Sequence, residues 1–396
     1  MSTATSTDAD LDLVNKLAEQ LLADFPPATT DVVTFLGAQF DRGLAWVHFD
    51  VGLGGLALAP KAQTAIDTKL RGAGAPSSGA RNPIGHGMGA PTVHSWGSNE
   101  QKTRYLRPMF TGEEVWCQLF SEPGAGSDVA GLATSAVKDG DEWIVNGQKV
   151  WTTVAHLAKW GMLVARSDPD HEKHKGLTYF VVDMKGPGVE VRPLRQMTGD
   201  AEFNEVFFTD ARIPDAERLG ERGDGWRVSL TTLMNERVSI GGAIAPRGGG
   251  PIGQAVAQYR KNRDTSKLDE LMQLWCAAEA ARLTNIRASN NRKVGTPGPE
   301  GSVAKLAMAE LNKKIYSFSV SLMGPAGMLY SDYSFKHGVG GMFTEDVQRS
   351  FLRSRANSIE GGTSEVMRNI LGERVLGLPG DVRVDKGKSW LEVPRS

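Results

Sequence analysis

The hydrophobic positions along this chain change their period twice. Val14, Leu17, Leu21, Leu22 and Phe25 fall three or four residues apart, the spacing of one helix face, until Pro26-Pro27 stops the run. The pattern stays helical through the first third. A Gly- and Pro-rich stretch at 72–92 interrupts it and reads as loop, and SNEQKTRYLRP at 98–108 opens like a capped helix with Ser98 or Asn99 at the N-cap. From Trp116 to about Asp210 the runs become short and β-rich: WCQLFS, EWIV, QKVWTT, WGMLVARS, LTYFVVDM, VEVRPLRQ and NEVFFTD. Asn146-Gly147, between EWIV and QKVWTT, predicts a hairpin turn. Strands this short and this closely spaced predict a small barrel or sandwich. Helical spacing returns after Gly225. Leu268, Leu271, Met272, Trp275, Ala278, Leu283 and Ile286 form one stripe, with Glu279 inside it, and Leu311, Ile315, Phe318 and Leu322 form another. Long helices with glycine-rich joints predict an antiparallel bundle. The tail after Pro379 is polar and is expected to stay poorly ordered until it docks. The order helices, β-insert, helices predicts an α+β protein in three domains: 1–115, 116–227 and 228–396.

Composition narrows the function more than the fold. The 396 residues include 45 basic and 46 acidic side chains, a formal net charge of -1, which argues against nucleic acid as a partner. The two cysteines, Cys117 and Cys276, lack CxxC partners, so neither a disulfide framework nor a structural zinc site is expected, and no metal is predicted. The polar start MSTATSTDAD does not read as a targeting segment, and no apolar run nears the roughly 20 residues of a membrane helix. A cytoplasmic protein without membrane insertion is the expectation.

The chemistry concentrates first at Gln118–Asp128, QLFSEPGAGSD, where a strand should run into a loop. Glycines beside a proline let the backbone turn sharply and approach a flat ligand, and Ser121 and Ser127 add hydroxyls. Composition alone leaves this equally readable as a decorated turn. The run LFSEPGAGSD, followed by NGQKVWTT, closely resembles the two central signatures of the acyl-CoA dehydrogenase family. The upstream APTVHSWGSNEQKTRYL and downstream GGTSEVMRNILGERVLGLP resemble the family in the same order.

That resemblance implies a helical N-terminal domain, a central β-barrel and a C-terminal four-helix bundle, with FAD as cofactor and an acyl-CoA thioester as substrate. It implies that Gln118, Phe120 and Ser121 border the flavin ring. Gly126 and Ser127 would contact flavin and acyl-CoA, with Trp151 and Thr153 on the ring's other side. Ser321, Gly324, Thr363 and Glu365 would complete the cofactor site. The residues fit the need, because a flavin wants apolar walls and donors at its polar edge.

Removing an α-proton from a thioester requires a carboxylate, donors to the thioester oxygen, and exclusion of water to lift the carboxylate's pKa. In the best-known branch of the family the base precedes Gly-Thr of the C-terminal signature. Here that signature reads Ile359-Glu360-Gly361-Gly362-Thr363-Ser364, which places Gly361 at the base position and Glu360 one residue early. A second branch, which includes isovaleryl-CoA dehydrogenase, carries its glutamate on an earlier helix before an arginine. SLTTLMNERVSIG at 229–241 is similar, and implies Glu236 as base with Arg237 beside the substrate. At about 100° per residue, Leu230, Leu233, Met234, Val238 and Ile240 predict one apolar stripe, with Arg237 near its middle and Glu236 at its edge. Glu360 is the runner-up.

Two family features are missing. The Arg-x-x-Phe-Gly that reaches the neighbouring subunit's FAD has no counterpart in PIGQAVAQYRKNRDTSKLDELMQLW at 251–275, where Arg260 and Arg263 are basic but the Phe-Gly is missing. The segment from Ser321 to Gly327 has Pro325 where a glycine is usual. Both touch the cross-subunit half of the cofactor site, so either a homotetramer or an α2β2 assembly with a related chain is expected. Electron-transferring flavoprotein is the expected acceptor. An oxygen-reactive relative, such as an acyl-CoA oxidase or a flavin monooxygenase, and a non-catalytic binding subunit are the alternatives. The helix-borne base and Gly361 predict a branched, long or bulky acyl group, a sterol side chain included. In this the chain resembles actinobacterial lipid- and sterol-degrading members.

Overall fold

The computed structural model describes residues 7–241, 245–293, 300–330, 332–335 and 346–393; the side chains of 236–241, 262, 292–293 and 300 also lie outside the described residues. The chain divides into two compact units, one of residues 1–192, 204–235 and 385–396, the other of 193–203 and 236–384.

In the first unit, helices α1 (Asp8–Asp24), α2 (Val32–Asp41), α3 (Gln63–Gly72), α4 (Ser78–Arg81), α5 (Ala90–Trp96) and α6 (Asn99–Thr111) precede the sheet. Thr7 and Ser98 begin α1 and α6 with capping boxes closed by Asp10 and Gln101, each satisfying otherwise orphaned backbone donors. The stretch at 72–92 is not a plain loop. It contains α4 and a π-turn over Gly85–Gly89 that runs directly into α5. Asn82, with no exposed surface, explains how so glycine-rich a segment holds helical turns: its amide donates to Met109 O and Glu114 O and accepts from the Gly85 and Trp116 amides.

Strands β1 (Trp116–Leu119), β2 (Ser135–Asp139), β3 (Glu142–Thr153), β4 (Trp160–Arg166), β5 (Leu177–Asp183), β6 (Val189–Pro193), β7 (Phe203–Pro214) and β8 (Arg218–Leu219) form one sheet in the order β6-β7-β3-β2-β4-β5-β8, with β1 parallel to β4. Period-2 alternation sorts the side chains between two cores. Trp116, Phe120, Met162, Val164, Leu177, Tyr179 and Val181 face the helices. Cys117, Leu119, Leu163, Ala165, Phe180 and Val182 face a second core that also takes Trp143, Val206 and Phe208. Trp143 on β3 meets Phe180 on β5 at 5.3 Å although β2 and β4 lie between their strands, so the sheet curls around this core as a barrel wall does.

Asn146-Gly147 does not turn the chain. β3 runs straight through both residues, Asn146 pairing with Ser135 and exchanging hydrogen bonds with Asp210. The glycine is required because a Cβ there would lie 2.5 Å from Thr134 Oγ1 and 2.7 Å from its Cα. The hairpin turns instead at Gly140-Asp141, where Asp139 faces Glu142 and Gly140 has φ +59°.

Helix α7 (Gly225–Gly241) begins in this unit. Its buried face is Val228, Ser229 and Thr232, whereas Leu230 and Met234 of the expected apolar stripe are exposed; Val238 and Ile240 fall among the undescribed side chains. The reason is local. Ser229 and Thr232 are buried with their hydroxyls bonded, so hydroxyl positions share the inward face with Val228 and with Leu233, the one member of the expected stripe seen to pack there.

The second unit holds α8 (Pro251–Asn262), α9 (Leu268–Lys293), α10 (Glu300–Ser321), α11 (Val347–Ser354) and α12 (Ser364–Arg374). Ile252, Ala255, Leu271, Leu274, Ile315, Phe318 and Leu322 make its core, so the expected α10 stripe is inside. On α9 the inner face is Leu271, Leu274, Trp275 and Ala278, while Leu268, Met272 and Leu283 are exposed. The segment beyond Asp385 docks back on the first unit through Trp390. Among the described residues, no helix is long and apolar enough to cross a membrane.

Candidate active site

The two central signatures lie side by side, knitted from below. The Val150 amide donates to Ser121 O at 2.9 Å, joining the strand of one signature to the loop of the other. Beneath them Lys149, with no exposed surface, donates to Phe120 O at 3.0 Å and to Glu122 Oε1 at 2.8 Å. Glu122 accepts two further bonds, from the Ala133 amide at 2.6 Å and the Thr134 amide at 2.9 Å. Burial pulls the Lys149 ammonium down to about 8, offset in part by the Glu122 charge. Burial also works to raise the Glu122 carboxyl, but the Lys149 charge and the bonds from Lys149, Thr134 and Ala133 hold it below the ordinary range. The loop itself closes between Glu122 and Ala125, which exchange backbone bonds of 3.1 and 3.0 Å and leave Pro123-Gly124 at the tip.

The far end of the loop is pinned as well. Lys173 bridges Asp128 at 2.9 Å and Asp385 at 2.8 Å. Arg166, 3% exposed, donates to the carbonyls of Ala130, Leu132 and Lys173, and the Trp390 ring covers its guanidinium at 4.7 Å. Trp390 Nε1 donates to Gly131 O at 3.0 Å.

With the underside occupied, the outer face is what remains for a ligand. Ser121, Gln118 and Thr153 are half-buried there, Gly126 and Ser127 are exposed, and nothing stands where a Gly126 Cβ would go. Trp151 is 57% exposed and sits at φ +60°, a left-handed conformation that costs energy for a tryptophan and recurs at ligand sites. An indole held out on a strained backbone, beside open glycine backbone and hydroxyls, fits a planar aromatic cofactor with a polar edge. Gln118, Ser121, Gly126, Ser127, Trp151 and Thr153, all expected at FAD, thus keep some exposure, whereas Phe120 is buried in the helical core.

The second unit carries the other expected residues. Glu236 and Arg237 lie on α7, but their side chains are outside the described residues. Ser321 ends α10 and turns its hydroxyl back to Phe318 O; Gly324, φ +57°, opens a 3-10 turn to Met328. Thr363 caps α12 through the Val366 amide, and Glu365 is exposed and paired with Arg368 at 3.2 Å. Arg260 and Arg263 are exposed beside a cleft of about 530 Å³ lined by Tyr259, Leu268 and Trp275.

The C-terminal signature explains its own departure. Gly361 and Gly362 have φ of +62° and +91°, a backbone that a glutamate rarely adopts. Glu360 is held elsewhere, accepting from Arg353 at 2.8 and 3.2 Å and from Asn357 at 2.7 Å. Three hydrogen bonds from these two side chains engage both of its carboxylate oxygens. The partners Arg353 and Asn357 escaped sequence reading, as did Asp200 with Arg349, which pair at 2.5 Å across 149 residues. No local motif marks either group.

Comparison with known proteins follows the same order along the chain. Residues 14–113, 117–211 and 223–376 match the family profiles described as acyl-CoA dehydrogenase N-terminal, middle and C-terminal domains. Acyl-CoA dehydrogenase IpdE1 of Mycobacterium tuberculosis is 38% identical over 315 residues, 76% of this chain and 77% of that protein. Acyl-CoA dehydrogenase FadE34 of the same organism is 39% identical over 73% of this chain but only 39% of its own length. The crystal structure of the ChsE4-ChsE5 complex from Mycobacterium tuberculosis superposes with a TM-score of 0.69 at 26% identity, covering 96% of this chain and 100% of that one.

Proposed function

Because this chain belongs to the acyl-CoA dehydrogenase family and is an FAD-dependent oxidoreductase, we propose that it converts an acyl-CoA thioester to the trans-2-enoyl-CoA with Glu236 as base. The observation that carries the choice of base is the state of its rival: Glu360 is bound by Arg353 and Asn357, and Gly361 needs a backbone suited to glycine. Glu236 takes the proton from the α-carbon; FAD, when bound, supplies the acceptor for the β-hydride. Gln118, Phe120, Ser121, Trp151 and Thr153 wall the ring. Gly126 and Ser127 approach cofactor and substrate, and Arg237 contacts the substrate. Ser321, Gly324, Thr363 and Glu365 serve the rest of the cofactor. The domain divisions are 1–115, 116–227 and 228–396.

Replacing Glu236 and Glu360 singly with glutamine tests this. Glu236→Gln should retain FAD and lose nearly all turnover, roughly 10²- to 10⁴-fold by the scale of lost general-base catalysis. Glu360→Gln should keep most turnover, and the opposite result refutes the assignment.

Gly361 carries no side chain where the best-known branch of the family has its base, which favours a branched, long or bulky acyl group, a sterol side chain included. A panel of acyl-CoA thioesters under anaerobic conditions, read by flavin bleaching, tests this; preference for short straight chains refutes it. Electron-transferring flavoprotein is the acceptor and the cytoplasm the compartment in this reading. Peroxide formation on turnover would instead mark an oxidase.

A second reading concerns assembly. The absent Phe-Gly after α8 and Pro325 in the glycine segment favour an α2β2 tetramer with a related chain over a homotetramer. That a similar structure is a complex of two named chains supports it. One FAD per chain and full activity in a homotetramer, from this chain expressed alone, would remove it.

A further inference from the structure

Three hydroxyls meet out of reach of solvent in the first unit. Thr92 on α5, Thr232 on α7 and Tyr179 on β5 each have no exposed surface. Thr92 Oγ1 donates to Met88 O at 2.8 Å and lies 2.9 Å from Thr232 Oγ1, which lies 3.0 Å from the Tyr179 hydroxyl. The order that uses every proton runs Tyr179 to Thr232 to Thr92 to the Met88 carbonyl. Thr232 Oγ1 also approaches Val228 O, at a longer 3.4 Å. Burial pushes the Tyr179 phenol well above its usual range, so it stays protonated at the head of the chain.

Val228 is buried, and Trp226 and Leu233 pack against the same core, so this part of α7 has an apolar seat. The hydroxyl bonds add directional contacts that fix how the helix is rotated on it. Trp96 Nε1 adds a second tie from α5, donating to Thr231 Oγ1 at 2.9 Å. The Tyr179 ring also meets Phe120 of the first flavin signature edge-on, at 5.9 Å and 87°. Glu236 follows Thr232 by four residues on the same helix, about one turn, so a rotation of α7 at Thr232 is carried along the helix backbone to position 236.

We propose that Tyr179, Thr232 and Thr92 are positioning residues, a hydroxyl chain that sets the rotation and register of α7 and thereby aligns the base it carries. The inference rests on the assignment of Glu236 as base.

The test separates proton removal from dehydrogenation. 3,3-Dimethylbutanoyl-CoA has α-hydrogens but no β-hydrogen, so its exchange of α-hydrogen for deuterium in D2O reports the base alone. With the holoenzyme, Thr232→Val and Tyr179→Phe should slow this exchange roughly 10- to 100-fold, the scale of a misaligned reacting group, while FAD content and thioester affinity stay within about twofold. Thr232→Ser should restore most of the rate. Ser229→Ala is the control for burial, because that hydroxyl bonds back to Gly225 O within its own helix, and it should exchange like the parent. Parent-like exchange in Tyr179→Phe, or equal slowing in Ser229→Ala, overturns the positioning role, and Tyr179→Phe decides the matter if Thr232→Val fails to fold. Glu236→Gln distinguishes the two failures. Undiminished exchange there removes the base assignment and this inference with it. Abolished exchange there, with parent-like Tyr179→Phe, removes the positioning role only.

Discussion

Lys149→Met is the substitution that asks most of this structure. Lys149 has a fully buried side chain and its partner Glu122 is 8% exposed. Removing one partner of such a pair costs about 3–5 kcal/mol, because the other charge stays buried without compensation. The lower end applies here, since Glu122 keeps the Ala133 and Thr134 amides. Glu122→Gln belongs at the upper end: it leaves the ammonium only the Phe120 carbonyl and a neutral amide. The double variant removes both charges and should recover about 2 kcal/mol or more relative to the sum of the single losses. The same bonds hold Phe120 and the 121–150 backbone link in place, so part of the loss should appear as weaker cofactor binding. If all of about 3 kcal/mol were expressed there, the FAD dissociation constant would rise roughly 100-fold, which is the ceiling. Titrating the apoprotein with FAD by flavin fluorescence, alongside denaturant unfolding of all three variants, measures both. Additive single losses, or a Lys149→Met protein with parent-like affinity and unfolding midpoint, would refute the reasoning.

The pH dependence has a definite sign. Lys149 titrates at about 8 when folded against roughly 10.4 in an unfolded chain, so between those values the unfolded state holds more protons and this group makes stability rise with pH. Glu122 acts on the other limb. Its folded pKa is depressed, so its contribution is present above the unfolded carboxylate value near 4.3 and is lost as pH falls through the folded one. Both limbs should vanish from the stability profile of the double variant.

Trp390→Ala should release the segment that docks through Arg166 and Gly131 O, and hydrogen exchange across 129–132 should lose protection; unchanged exchange would mean the ring is idle. Gly147→Ala should cost about 1–3 kcal/mol, because its Cβ meets Thr134 backbone, whereas Gly140→Ala meets open space and pays only about 1–2 kcal/mol of left-handed strain. Denaturant midpoints rank the two, and the reverse order would contradict the steric reading.

What the sequence disclosed was whatever is decided by neighbours in the chain. The α1 stripe through Val14 and Leu21, the Ser98 cap and the run of β-rich segments are of this kind, and so are the two flavin signatures. Asn146-Gly147 misleads because the same dipeptide serves a tight turn or a close approach, and only Thr134, just before β2, says which. Helix α7 misleads because Thr232 counts as polar until its partners on α5 and β5 are seen, and Ser229 until its bond back to Gly225 O is. Glu360 can be set aside only once Arg353 and Asn357 are placed around it.

The Trp390–Gly131 bond spans 259 residues, and that span governs how the protein can be made. A ribosome delivers the chain in order, so the glycine-rich segment waits for those 259 residues before the tryptophan that clasps it emerges. The intervening helices are synthesised while that clasp is still missing. The far end of the loop is therefore pinned well after the sheet beneath it has been made.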